Sequence, residues 1–558
     1  MRVALGKLEV PLFDLREQIA GLVGDLGPVP AGDRPAPLLE GVENGRLEAE
    51  LLLASVLNVA RLDLYLQFDR PVQPPELKAF KALLLRRARR EPLQYILGTT
   101  AFRELELRTD PRALIPRPET EFLVDAALDF LESCTEQGET PIMADIAEVQ
   151  AAETHEDILR LMANPALGLG GPVAIYVTID SKQPDSYVMG ATHAGLGMPD
   201  RSYYLRESER LVETRDAYKT HLARMLEILN EADSVARADA VFALETAIAE
   251  LHWTRADRRN ADRTYNRMSL SELQDFAPGM TWSAAFEANG LPTEGDIVLR
   301  EKDAFPALAE LFAETPVNVW QDYLLTRLVS SNAAWLSDDV YMANFEFYGQ
   351  KLRGQQSPRA REKRGINLVN GRLDQAVGQE YIARYFPEES KVQMTEMFEN
   401  IRTALSIRID NLTWMTDATK AQAQEKLAAM TAKIAYPEIW TDYSDLEVVP
   451  GDLMGNIRRH RIWTSDRQAA RLGTKVDKRE WFTAPQTVNA FYSPNRNEAF
   501  IPAGYIQSPL FDPNADPAIN YGAIGSIVGH EIGHGFDDQG SKFDANGFLQ
   551  SWWTEEDR

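Results

Sequence analysis

One segment restricts this chain more than any other: "VGHEIGHGFDD", Val528 to Asp538. Two histidines four residues apart meet on one face in a helix, where positions i and i+4 stand one turn apart. Yet Gly525, Gly529, Gly533 and Gly535 thread the same stretch, and each interior glycine costs a helix about 1 kcal/mol relative to alanine. The spacing therefore predicts a helix whose glycines are packed closely by their surroundings, as backbones pack around a buried metal site. In that helix His530 and His534 can offer two imidazole nitrogens to one tetrahedral zinc ion. Glu531, turned about 100° from His530, falls beside the water such an ion would carry. Zinc brings the pKa of that water to about 7, so the carboxylate can take its proton and later pass it to a leaving amine.

Asp537, three residues past the second histidine, is placed either to accept a proton from that imidazole's other nitrogen or to serve as a helix-end carboxylate. The remaining histidines, His155, His193, His221, His252 and His460, lack metal-ligand spacing and read as surface or core residues. "VNAFY" (Val488 to Tyr492) has the alternation of an edge strand, whose free N–H and C=O groups can hold an extended peptide. Trp552 and Trp553 read as packing residues.

Length and composition leave room for this chemistry. The 558 residues allow two to four domains, and 44% hydrophobic with 26% charged content is that of a globular protein. The net charge is −25. Residues 1–133 hold 17 Lys and Arg against 21 Asp and Glu, so most of the excess lies in the remainder. Such an acidic body argues against nucleic acid or an anionic membrane as its partner. One cysteine, Cys134, excludes an internal disulfide framework and a thiolate-rich metal site. No run of about 18 apolar residues suggests a membrane span. The N-terminal stretch breaks its apolar runs with Glu, Asp and Arg, unlike a signal peptide. The cytoplasm is the compartment expected of the sequence as written.

The chain changes character near residue 134. Before it, "RLEAELLLASVLNVARLDLYL" spaces Leu47, Leu51, Leu52 and Val56 as a helix would, and "PELKAFKALLLRRARREPLQYIL" does the same from Pro75. Arg86, Arg87, Arg89 and Arg90 end the second helix, either as a solvated helix end or as a docking patch for an acidic partner. After it, "GGPVAIYVTID" alternates Val173, Ile175, Val177 and Ile179 as a half-buried strand, and long amphipathic helices follow. In one of them Ser208 is the expected cap and Leu211, Tyr218, Leu222, Met225 and Leu229 the buried face. "LGLGGP" (Leu167 to Pro172) reads as a loop.

Two resemblances follow from these motifs. "PLQYILG", "FRELELRTDPRALIPRPETEFLVD" and above all "LIPRPETE" (Leu114 to Glu121) resemble the N-terminal part of release factor glutamine methyltransferases of the HemK/PrmC type, over about residues 45–130. That resemblance implies a small helical domain that docks a release factor. The family's Gly-rich turn and Asn-Pro-Pro-Tyr motif do not follow. "GLGMPDRSYYL" (Gly195 to Leu205), "YIARYFPEESK", "NLTWMTDATKAQAQEKLAAMTAKIAYPEIWTDYS" and "QTVNAFYSPNRNEAFIPAGYIQSPLFD" resemble the neprilysin family of zinc metallopeptidases, from about 140 to 558. It implies a zinc metallopeptidase acting on extended peptides, with Asn489 (side chain) and Ala490 (carbonyl) as contacts to the substrate backbone. It also implies a third zinc ligand, the glutamate of a Glu-x-x-x-Asp pair on a later helix, and a downstream His and Arg. Neither is found; Glu555 and Glu556 are the glutamates that remain.

The expected fold is mainly α with minor β (α+β): a large multi-helical metallopeptidase domain with a gluzincin-type zinc helix, preceded by a small helical bundle. The expected division is 1–133, a helical domain like that of the methyltransferases; 134–480, the helical part of the peptidase; and 481–558, its zinc-binding part. The expected function is zinc-dependent peptide hydrolysis, impaired for want of the third ligand. The alternative is a non-catalytic chimera whose N-terminal domain binds a release factor. Members of the peptidase family often work outside the cytoplasm.

Overall fold

The computed structural model describes residues 10–11, 45–67, 70–102, 105–109 and 142–557. Cys134 and "LIPRPETE" lie outside them. The fold is mainly α with minor β, in two compact units, Met1–Ala126 and Ala127–Arg558. Among the described residues no helix is long and apolar enough to cross a membrane.

The first unit packs α1 (Gly45–Leu57) on α2 (Pro74–Ala88), followed by the short α3 (Leu93–Leu97) and the hairpin of β1 (Thr99–Phe102) and β2 (Leu105–Arg108). Proline opens α2, and the Gln73 N–H donates to Glu76 Oε2 (2.7 Å) to complete its cap. The buried face of α1 is Ala49, Leu52, Leu53 and Leu57, while Leu47 is exposed. A run this rich in leucine carries no polar side to say which face turns inward. Arg86 pairs with Glu91, and Arg87 with Glu48, within the unit.

Two large cores, with two small clusters beside them, lie in the second unit. The larger lies around a four-stranded sheet of β3 (Val173–Asp180), β4 (Gln183–His193), β5 (Asn266–Ser269) and β6 (Asp296–Leu299), in the order β3-β4-β6-β5. Residues 173–179 of β3 are all half-buried, because β3 is an edge strand. Helices α4 (Glu209–Ile228), α5 (Ser234–Leu251) and α6 (Val317–Asn332) pack on one another nearby. Ser208 caps α4 through the Leu211 N–H, and Leu211, Tyr218, Leu222 and Met225 are buried; Leu229 is half-buried just past the helix end.

The stretch "GLGMPDRSYYL" is a structural lock inside this core. Gly195 has φ +95°, and an added Cβ would stand 2.8 Å from Pro172 Cα. Tyr323 Oη donates to the Gly195 carbonyl (3.1 Å), and Tyr348 Oη to that of Gly197 (3.1 Å). The Gly197 and Met198 amides donate to Tyr204 Oη, which donates onward to Glu245 Oε2 (2.6 Å). Arg327 closes the network on Glu245 Oε1 (3.1 Å) while lying over the Tyr323 ring.

The smaller core joins α7 (Glu388–Asp410), α8 (Asp417–Ala429) and a three-stranded sheet to α9 (Ile524–Gly533). The sheet runs β8-β9-β7, with β7 (Thr431–Ala435), β8 (Phe491–Ser493) and β9 (Glu498–Pro502). Ile524, Val528 and Ile532 turn one side of α9 onto Met397, Phe398, Leu427 and Ile501.

Candidate active site

The other side of α9 carries the two histidines. His530 and His534 bring their ring centroids to 4.4 Å at an interplanar angle of 74°, and the His534 N–H still donates to the His530 carbonyl (3.1 Å). His530 is exposed and the His534 side chain is 42% exposed, so both rings face open space. Glu531 is buried. That burial raises its carboxyl above the usual range, against the pull of His534 and His530. A carboxylate so placed is a better proton acceptor near neutral pH than a solvated one.

The expected close packing of the glycines holds at two of four positions. Gly535 has Met430 Cε 2.8 Å from where a Cβ would stand, and Gly525 has Met397 Sδ at 3.4 Å. Gly529 and Gly533 have nothing within 4 Å. These two lie on the open side, each directly before a histidine, and there the missing side chains leave the helix bare.

After His534 the chain turns so that Asp537 meets it. Asp537 Oδ2 lies 2.9 Å from His534 Nδ1, and Oδ1 accepts the amides of Gln539 (2.9 Å) and Gly540 (2.8 Å). Partial burial pushes this carboxyl up, but the amide and imidazole hydrogen bonds outweigh it and leave the pKa lowered. An ionised Asp537 accepts the Nδ1 proton, which leaves the Nε2 lone pair of His534 free to ligate. The donor set thus fits zinc: two imidazoles on one face, one of them oriented from behind. A zinc ion held by His530 and His534 would polarise a carbonyl and lower the pKa of a bound water. Glu531 stands between the two histidines in sequence and can carry the proton.

The edge strand is shorter than expected. β8 starts at Phe491 and pairs antiparallel with β9 through Phe491–Phe500, Tyr492–Ala499 and Ser493–Glu498. Continuing that register would set Asn489 opposite Pro502, which has no N–H to give, and the ladder stops first. Asn489 is exposed and Ala490 is 7% exposed, just ahead of the strand. β8 reaches the zinc-helix turn through Tyr492, whose Oη would lie 3.3 Å from a Cβ on Gly535.

Glu555 and Glu556 are exposed. Among the described residues no group of three His, Cys, Asp or Glu side chains stands as a metal cage. Trp552 is buried, with its indole N–H donating to the Gly540 carbonyl (3.3 Å). Sequence reasoning missed two features. His193 and His252 stack at 3.7 Å in the larger core, beside buried Glu301, and no spacing announced a pair brought together by the fold. Lys426 of α8 is fully buried beneath the zinc-helix turn. Its place in a stripe with the buried Thr419, Ala423 and Leu427 was the available signal.

Two models described as peptidase family M13 match residues 102–437 and 489–558. The chain belongs to peptidase family M13. The M13 peptidases similar to it include endothelin-converting enzyme-like 1 of Rattus norvegicus, 30% identical over 415 residues, covering 72% of this chain and 53% of that protein. Neprilysin-11 of Caenorhabditis elegans is 29% identical over 453 residues, covering 76% and 53%. The chain therefore spans about half the length of these relatives. Among solved structures, the Mycobacterium tuberculosis zinc metalloprotease Zmp1 with inhibitor has a TM-score of 0.74 and 38% identity, covering 80% of this chain and 68% of its own. PepO of Lactobacillus rhamnosis, at 23% identity and TM-score 0.70, covers 98% of this chain and 79% of its own, and shares the fold. A PrmC N-terminal domain model matches residues 38–98. M13 enzymes are zinc metallopeptidases, hydrolases of peptide substrates.

Proposed function

We propose that this chain is itself a zinc-dependent peptidase for extended peptides. In this reading His530 and His534 hold the ion, Glu531 is the general base, and Asp537 orients His534. Asn489 and Ala490 contact the peptide backbone alongside β8. The observation that carries the reading is the convergence on the turn after His534, where the Asp537 carboxylate and Tyr492 of the edge strand both arrive. The division into a helical part, 134–480, and a zinc-binding part, 481–558, belongs to the same reading. Because no third protein ligand joins the pair among the described residues, we place its zinc affinity and rate below those of a three-ligand site.

The test measures bound zinc by mass spectrometry and cleavage of a fluorogenic peptide, for wild type beside Glu531→Gln. The variant is expected to keep the metal and lose roughly 100- to 10,000-fold in rate. Cleavage unchanged by the substitution overturns the assignment.

A second reading concerns residues 1–133, where the PrmC N-terminal match supports docking of a release factor. Retention of a release factor by the full chain, abolished by charge reversal at Arg89 and Arg90, tests it.

A further inference from the structure

Lys426 is the cation most deeply enclosed in the smaller core, with 0% of its surface exposed, and it makes no ion pair among the described residues. A buried ammonium is costly unless its protons find acceptors. Its Nζ donates to the carbonyls of Gly540 (2.7 Å) and Phe543 (2.5 Å), and lies 5.6 Å and 6.0 Å from the centroids of the Trp552 and Phe536 rings. All four partners belong to the segment just past the zinc helix. Gly540 is the link that matters: its carbonyl accepts from Lys426 while its N–H donates to Asp537 Oδ1 (2.8 Å). The other carboxylate oxygen of Asp537 meets His534 Nδ1.

The same lysine is tied to the edge strand through its own backbone. The Lys426 carbonyl accepts from Asn497 Nδ2 (2.9 Å), whose second bond goes to the Ala545 carbonyl (3.0 Å). Asn497 Oδ1 in turn accepts from Tyr492 Oη (2.8 Å) on β8. Residue 426 is thus the joint between the zinc-helix turn and the strand proposed to hold the peptide. A side chain needed only to fill this volume would be apolar, since burial pulls Lys426 down to about 7 against Asp544 and Asp537. Only a long donor can span to two carbonyls at once.

We propose that Lys426 is a positioning residue of this site: its ammonium clamps the 540–543 turn so that the Gly540 amide holds Asp537 against His534. The inference rests on the reading of the site given above. It touches neither metal nor substrate and acts through Gly540 and Asp537.

The test compares the full-length chain with Lys426→Met, which keeps the volume and removes the donor. Two quantities are read. One is the tautomer of His534 in metal-free protein, from nitrogen-15 NMR, with its signal identified as the one lost in His534→Gln. The other is zinc affinity by competition with a chelator. Wild type is expected to hold His534 with the proton on Nδ1. Lys426→Met is expected to mix the tautomers and weaken zinc about 10- to 100-fold, the scale of losing a partner behind a ligand. If wild type binds no zinc but the tautomer still shifts in Lys426→Met, the reading of a zinc site fails and the positioning role stands. A folded variant with the wild-type tautomer and affinity within twofold overturns the role, whatever happens to its melting temperature. Should Lys426→Met not fold, Lys426→Gln, which retains one donor, is expected to show the same shift in smaller degree and is judged by the same outcomes.

Discussion

Arg327, half-buried, and Lys426, fully buried, are both cations of the second unit, and the chain treats them differently. Arg327 has a carboxylate, Glu245, at 3.1 Å, and the network around them ends on backbone groups of the Gly195–Gly197 loop. Among the described residues none of its hydrogen bonds reaches the zinc helix. Lys426 is given two carbonyls and two ring faces but no paired acid, and its influence passes through Gly540 to Asp537 and an open imidazole. A charge neutralised on the spot fixes a fold. A charge left to work through oriented amides can fix a reactive group at a distance.

The largest effect is expected where the closed network is opened. Glu245→Gln takes the buried acid away from the half-buried Arg327 guanidinium, and about 3 kcal/mol of stability should go with it. Replacing both, Glu245→Leu with Arg327→Met, should recover most of that loss. Urea midpoints of the three proteins measure this, and a double variant no better than the single one would erase the distinction drawn here.

An effect no larger per group is expected from acid. Burial pushes His193 down to about 4, and burial with the neighbouring His193 takes His252 down to about 3; Glu301, Arg258 and Arg300 face the pair. The folded state keeps both rings neutral while the unfolded chain protonates near pH 6.5, so unfolding takes up protons between those values. Stability is therefore full above about pH 6.5 and falls as pH drops toward 4, by about 3 kcal/mol for His193. The stability–pH curve of His193→Gln should be flatter over this window, and an unchanged slope would place the acid sensitivity elsewhere.

The smallest effect is expected on the open side. Asp537→Asn keeps the shape but cannot favour the Nδ1–H tautomer of His534 as an anion does. Zinc affinity should fall about 10- to 100-fold with little change in melting temperature. Equal affinity would mean that His534 is oriented without Asp537.

The sequence announced α9 because the i, i+4 spacing of His530 and His534 sets both imidazoles on one helical face, in spite of the glycines between them. It left Asp537 with two readings, of which the structure shows the contact with His534. It announced the edge strand three residues too early, at Val488 rather than Phe491, since the limit is set by Pro502 on the neighbouring strand, a partner found through the fold. The open space at Gly529 and Gly533 was unreadable for the same reason. Glycine marks both close approach and bareness. The His193–His252 stack joins residues far apart in sequence, and no local period encodes such a meeting. Lys426 was half-legible: its stripe predicts burial, while its carbonyl partners lie more than a hundred residues away.

The shortness of β8 has one more consequence. A free sheet edge invites other copies of a chain to add strands to it, and natural edges are kept safe by being brief or interrupted. This one offers three residues before Pro494 and the hairpin turn. It is long enough to seat one extended segment and too short to seed a growing sheet, so an exposed backbone is carried without an invitation to aggregate.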